Sequence, residues 1–234
     1  MLDQALEALK TYKWGDDKKV LNPIDEAIVA SHGDESARRK LEDSLASLLK
    51  SDVPRVAKDV ICRKLRSIGT AASVPVLAEL LQSTELSHMA RYALEHISAP
   101  EATQALRDAL PKLGSNLKVG VIGSLGKRQD EASVPVFAQM LTEGDSAVSR
   151  AAAIALGLVK SSAAAKALAE GKPKDASAKL AATDASLSIA ESLLADGKKL
   201  DALAIYKGLA KGDQPKHIRL AATRGMLACA GKSG

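Results

Sequence analysis

Apolar positions along this chain fall at helical spacing, and the helical blocks recur about every 30 residues, a period that signals stacked supersecondary units. Four segments superpose: 60–69, 89–98, 117–126 and 148–157. Their aligned apolar positions are Val60/Met89/Leu117/Val148, then Leu65/Leu94/Ile122/Ala153, then Ile68/Ile97/Leu125/Leu156. A small residue follows each block: Gly69, Ser98, Gly126 and Gly157. The last three columns are separated by 29, 28 and 31 residues. No strand-like alternation of useful length occurs. The pattern predicts an all-α chain: a right-handed α-solenoid of stacked antiparallel helix pairs.

Helix signals place the elements. A short helix over residues 2–12 is followed by Asp16-Asp17 as a cap. Asn22-Pro23 offers an N-cap and a first-turn proline, with Asp25 and Glu26 near the positive end of the dipole. His32-Gly33 closes that helix, and 35–50 is strongly helical with Leu41, Leu45, Leu48 and Leu49 on one face. Residues 1–51 match the repeat columns poorly and read as an N-terminal helical cap, since terminal units of a solenoid are atypical. Ser51-Asp52 before Pro54 opens the first of four repeats spanning 52–170. Ala132-Ser133-Val134-Pro135-Val136-Phe137-Ala138 echoes Ala72-Ser73-Val74-Pro75-Val76-Leu77-Ala78 two periods earlier. Gly171-Lys172-Pro173-Lys174 is the candidate break. Beyond it, 175–234 reads as longer helices that complete the same solenoid.

Composition narrows the class. The core residues are Ala, Leu and Val, with one Trp, one Phe and three Tyr, which suits closely packed helices and disfavours a β-sandwich. The net charge is +5 and lies in the second half of the chain. A basic half could favour an acidic partner, nucleic acid or an anionic surface, but its lysines are scattered singly and read first as a solvated Lys-rich surface. Cys62 and Cys229 form no disulfide framework and no metal-type spacing. No membrane span is evident, and residues 1–6 read as an amphipathic helix rather than a signal peptide. The chain reads as soluble, with its compartment not fixed by the sequence.

Ser73-Val74-Pro75-Val76-Leu77-Ala78-Glu79-Leu80-Leu81 and Val148-Ser149-Arg150-Ala151-Ala152-Ala153-Ile154-Ala155-Leu156-Gly157 resemble HEAT-type repeats of the short bacterial kind, also seen in phycobilisome-lyase-like proteins. That family carries an Asp and Arg ladder between repeats. Here Arg91 and Arg150 correspond, while Cys62 and Val119 interrupt the series. The segment 190–209, with Ala202 and Tyr206 as a small–aromatic pair and Pro215 beyond, resembles one tetratricopeptide helix pair; an irregular HEAT-like pair fits equally. The arrangement is similar to the repeat portion of larger multidomain bacterial proteins, many of them exported. The resemblance implies a monomer or one domain of a longer chain.

No phosphate-binding loop, dinucleotide fingerprint, nucleophile elbow or zinc-binding His-Glu-x-x-His is present. Gly120 and Gly123 read as close-packing positions. The acids at helix starts (Asp25, Glu35, Asp52, Asp145, Asp175, Asp213) are explained by capping. The richest polar cluster is 87–96, where His88, Tyr92 and His96 lie a turn apart and Arg91 and Glu95 form an i, i+4 pair. No catalytic residue, cofactor site or metal site is assigned. The chain is expected to be a non-catalytic scaffold or protein-interaction module. A protein or peptide segment would lie in the groove of the second helices, contacting Glu79, Gln82, Arg107, Lys112 and Gln139, with His88 and Arg91 as a further polar spot. Two alternatives rest on fold analogy: a DNA-glycosylase-like enzyme and a bilin-lyase-like chaperone. The first is weakened because the single Trp, Trp14, lies in the N-terminal cap and stacking platforms for nucleic acid are scarce.

Overall fold

The computed structural model describes residues 1–211 and 214–231. Among these the chain is all-α: fourteen α-helices and no strand. It divides into two compact units, Met1–Ser124 and Leu125–Gly234.

The first unit runs α1 (Leu2–Leu9), α2 (Asn22–Ala30), α3 (Glu35–Lys50), α4 (Arg55–Ile68), α5 (Val74–Glu79), α6 (Ser87–Leu94), α7 (Pro100–Ala109) and most of α8 (Ser115–Lys127). First helices stack on first helices, α3 on α4 and α4 on α6, while the second helices α5 and α7 pack side by side. The stack therefore begins within residues 1–51, because α3 meets α4 as α4 meets α6. The central column is its core: Leu65, Leu94 and Ile122 are fully buried. Val60, Met89 and Leu117 are only half-buried and line the edge of the same seam.

Local chemistry at the helix starts differs from the sequence expectation at three points. Asn22 is the first residue of α2 rather than its cap, because a 3-10 turn over Lys18–Leu21 runs directly into the helix. That turn is the element Asp17 caps, accepting from the Lys19 amide at 2.9 Å. Ser51 closes α3 by donating to the Leu48 carbonyl, and Pro54 precedes α4 without a side-chain cap. Ser73 does not cap α5 either; its hydroxyl turns to a buried carboxylate described below. Asp34, which the sequence reading passed over, caps α3 by accepting from the Ala37 amide at 2.9 Å. Gly33, at φ +85°, makes the left-handed turn between α2 and α3.

The second unit contains the end of α8, then α9 (Val134–Glu143), α10 (Ser146–Val159), α11 (Ser162–Glu170), α12 (Ala176–Ala195), α13 (Lys199–Ala210) and α14 (Lys216–Cys229). Asp145 and Asp175 cap α10 and α12 through backbone amides, as their positions predict, and Ser161, not foreseen, caps α11 in the same way. Asp213 lies outside the described residues. α10 packs on α12, α9 on α11, and α12, α13 and α14 pack together. The connection at 171–174 is irregular but α12 resumes the stack beyond it.

The small-residue column shows why the period holds. A Cβ on Gly126 would lie 2.9 Å from the Cα of Ala155, and one on Gly157 would lie 2.8 Å from the Cβ of Ala185. In the first unit, a Cβ on Gly69 would lie 2.9 Å from Ile97. Each small residue admits a helix or its end one period further on, and Gly157 extends the register to α12. Gly120 also lies under a close neighbour, the Arg91 guanidinium, but Gly123 faces open space and is not a packing requirement.

Candidate interaction surface

Several polar side chains on the first helices are spent on the seams between repeats. Arg38 of α3 donates to the Ser67 carbonyl at 2.9 Å and the Ile68 carbonyl at 3.3 Å, answering the unpaired C-terminal carbonyls of α4. Glu42, only 1% exposed, accepts from the Thr70 amide at 2.7 Å, the Thr70 hydroxyl at 3.0 Å and the Ser73 hydroxyl at 2.5 Å. A buried carboxylate so surrounded is a joint, since its desolvation is offset only by these donors. Sequence reasoning missed it because Thr70 and Ser73 lie a full period away.

Arg91 and Glu95 were expected to pair as neighbours; both reach across to Ser124 in α8. Arg91 donates to the Gly120 carbonyl at 3.1 Å and to the Ser124 hydroxyl at 3.4 Å, and that hydroxyl donates to Glu95 at 2.7 Å. Burial holds the Arg91 guanidinium below its usual value, opposed by the nearby Glu95 charge. His88 is exposed and its Nδ1 lies 3.3 Å from an Arg91 amine nitrogen. His96 Nδ1 lies 2.9 Å from the Tyr92 carbonyl, and the Tyr92 ring carries the Arg66 guanidinium at 4.8 Å from its centroid. Thus the 87–96 cluster knits α4, α6 and α8. Among the described residues no three His, Cys, Asp or Glu side chains come together as a metal set.

A polar ladder is therefore present within the first unit, although Cys62 and Val119 interrupt the arginine series. Different side chains fill its rungs: a Glu at one seam, an Arg–Ser–Glu chain at another. The second unit has lighter versions. Gln129 donates to the Leu158 carbonyl at 3.2 Å, and the Lys172 amide to Thr142 at 3.3 Å. The echoed Ser133 finds its acceptor within its own turn, Asp130 at 2.5 Å, rather than in the preceding repeat.

The second helices behave differently. Between α5 and α7 lies an open groove of about 340 Å³ whose walls include Gln82, Glu101, Gln104, Asp108 and Lys112. Two of the sequence-predicted contact residues, Gln82 and Lys112, are thus brought together. Glu79 is exposed on α5 outside the groove lining, and Arg107 is half-buried on α7. Gln139 is exposed on α9 in the second unit and donates to Glu143 at 2.8 Å. Glu101, Gln104 and Asp108 were not foreseen; their i, i+3, i+7 spacing on the polar side of α7 was the available signal.

Reactive groups are muted. Cys62 is fully buried, and burial pushes its thiol up to about 12. Burial also raises the Tyr206 phenol, whose ring occupies the space beside Gly225 between α13 and α14. Hydrogen bonds from the Ser177 hydroxyl, above all, lower the Asp175 carboxyl at the start of α12. No helix among the described residues is long and apolar enough to cross a membrane.

Residues 115–186 match the family model of HEAT repeats. With the helical architecture, this supports a HEAT-type repeat protein. The match runs from α8 to the middle of α12 and passes through the irregular connection at 171–174, in agreement with the Gly157–Ala185 contact that continues the stack. No curated protein matches the chain.

Proposed function

We propose that this chain is a non-catalytic protein-interaction module that holds a segment of another protein against its second helices. One observation carries the reading. Buried and half-buried polar side chains of the first helices, Arg38, Glu42, Arg91 and Glu95, are committed to seams between repeats, whereas Gln82, Gln104 and Lys112 of the α5–α7 groove stand on an open surface. A scaffold needs this division: one layer fixed by its neighbours, another left to contact a partner. The buried carboxylate Glu42 does not serve as an acid or base in this reading, because its oxygens are held by Thr70 and Ser73. The segment 190–209, the end of α12 with α13, in which Ala202 and Tyr206 are buried, is read as a tetratricopeptide-like helix pair.

The test is site-specific photo-crosslinking of the full chain in its native cells. A photoreactive side chain at Gln82 or Gln104 should form adducts with a discrete protein, and one at Arg63 on α4 should not. Equal labelling from both layers, or adducts with nucleic acid alone, would overturn the reading.

A further inference from the structure

The second unit carries a larger groove of a different chemistry. It has a volume of about 800 Å³ and lies among α11, the first half of α12, α13 and the residues Gln214 and Pro215 just before α14. Its floor is aliphatic: Leu168, Leu180, Ile205 and Leu209 contribute, and Leu180 remains 50% exposed. Small residues on α13, Ala204 and Gly208, keep it open, and a Cβ on Gly208 would meet nothing within 4 Å. Among the described residues the charged ones that line it are Lys166 and Lys179, with no acid among them. Lys166 has an exposed, long contact of 3.8 Å with Glu170, which leaves its charge largely available. The connection that supplies Gly171 and Pro173 to the lining also carries Lys172 and Lys174, both exposed.

The surroundings agree with the lining. Residues 1–124 hold 17 Lys+Arg and 17 Asp+Glu, a net charge of zero. Residues 125–234 hold 16 and 11, so the whole net charge of +5 belongs to the second unit. By contrast, the α5–α7 groove mixes Glu101 and Asp108 with Lys112. An apolar floor of this size with a rim of one sign selects for charge as well as for shape.

We infer that the groove among α11, α12 and α13 binds an acidic peptide segment that presents aliphatic side chains to Leu180 and Ile205 and carboxylates to Lys166 and Lys179. This rests on the interaction-module reading and assigns that function a second site with its own partner chemistry. Aliphatic side chains displace water from the floor, while the lysine rim steers the segment and rejects basic sequences.

The experiment is selection of a displayed library of short random peptides on the full chain, followed by affinity measurement of the selected peptides over a salt series. The selected sequences should be acidic with spaced aliphatic residues. The double variant Lys166→Glu, Lys179→Glu should weaken them by about tenfold or more and flatten the salt dependence. Gly208→Phe should weaken them without loss of helicity, since the added side chain enters open groove space. Selected peptides that are not acidic, or that are insensitive to both variants, would overturn the inference. If such peptides instead respond to Lys112→Glu, the interaction-module reading survives while this site fails. A library that yields no binder counts against both.

Discussion

The first helices and the second helices of this chain are built for different ends. α3, α4, α6 and α8 spend polar side chains on the seams between repeats: Arg38 on α4 carbonyls, Glu42 on Thr70 and Ser73 in the turn that leads into α5, Arg91 and Glu95 on Ser124. In the second unit α10 and α12 reach the same end by close approach, with Gly157 against Ala185. The second helices α5 and α7 leave a groove instead, and in the second unit a groove lies among α11, α13 and the first half of α12, so the division is cleaner in the first unit. Layers that alternate along one chain can thus divide the work: one fixes the repeat spacing, and the other stays open to a partner.

The comparison can be broken most severely at the seam core. Leu94 is fully buried between α4 and α8 neighbours in the central column, so Leu94→Ala should cost about 2–5 kcal/mol in a urea melt. A cost below roughly 0.5 kcal/mol would mean that the column is misaligned. Glu42→Ala comes next: it strips the acceptor from the Thr70 amide and the Ser73 hydroxyl, at about 1–3 kcal/mol for each donor left buried and unpaired. Gly157→Ala should cost about 1–3 kcal/mol, because the new methyl forces α10 away from α12. Gly123→Ala, facing open space on α8, is the control and should stabilise slightly by its helix propensity.

The buried thiol acts only at alkaline pH. With Cys62 raised to about 12, the folded chain holds that proton more tightly than the unfolded chain does. The resulting stability is fully present below about 9 and is lost as pH rises from there toward about 12. In the same sense, a thiol reagent at neutral pH should label the half-exposed Cys229 of the native chain before Cys62. Labelling of Cys62 should follow unfolding. Equal native labelling of both would place Cys62 at the surface and contradict the packing of α4.

What was legible in the sequence was the apolar register. Leu65, Leu94, Ile122 and Ala153 are seam residues because the helix period and the repeat period coincide at those positions. The small residues after each block were legible too, although only the structure shows that they admit the next helix. The polar seam was not, because Glu42 lies a full period from Thr70 and Ser73 with no local pattern to join them, and because Arg91 and Glu95 look like an ordinary surface pair until Ser124 lies between them. Cap positions misled where a 3-10 turn or an extended proline begins the helix, as at Asn22 and Ser51. The second-unit groove was hidden for another reason. Its walls come from residues 165–215, and its openness depends on side chains as small as those of Ala204 and Gly208.

The central claim is the division of labour between layers, and a paired alanine panel measures it without knowledge of the partner. Arg38, Glu42 and Arg91 from the first helices are set against Gln82, Gln104 and Lys112 from the α5–α7 groove, each variant unfolded in urea. The seam variants should each lose about 1 kcal/mol or more, and the groove variants should stay within about 0.5 kcal/mol of the parent. Groove variants that destabilise as much as the seam variants would show that the second helices are structural as well, and the account would fail.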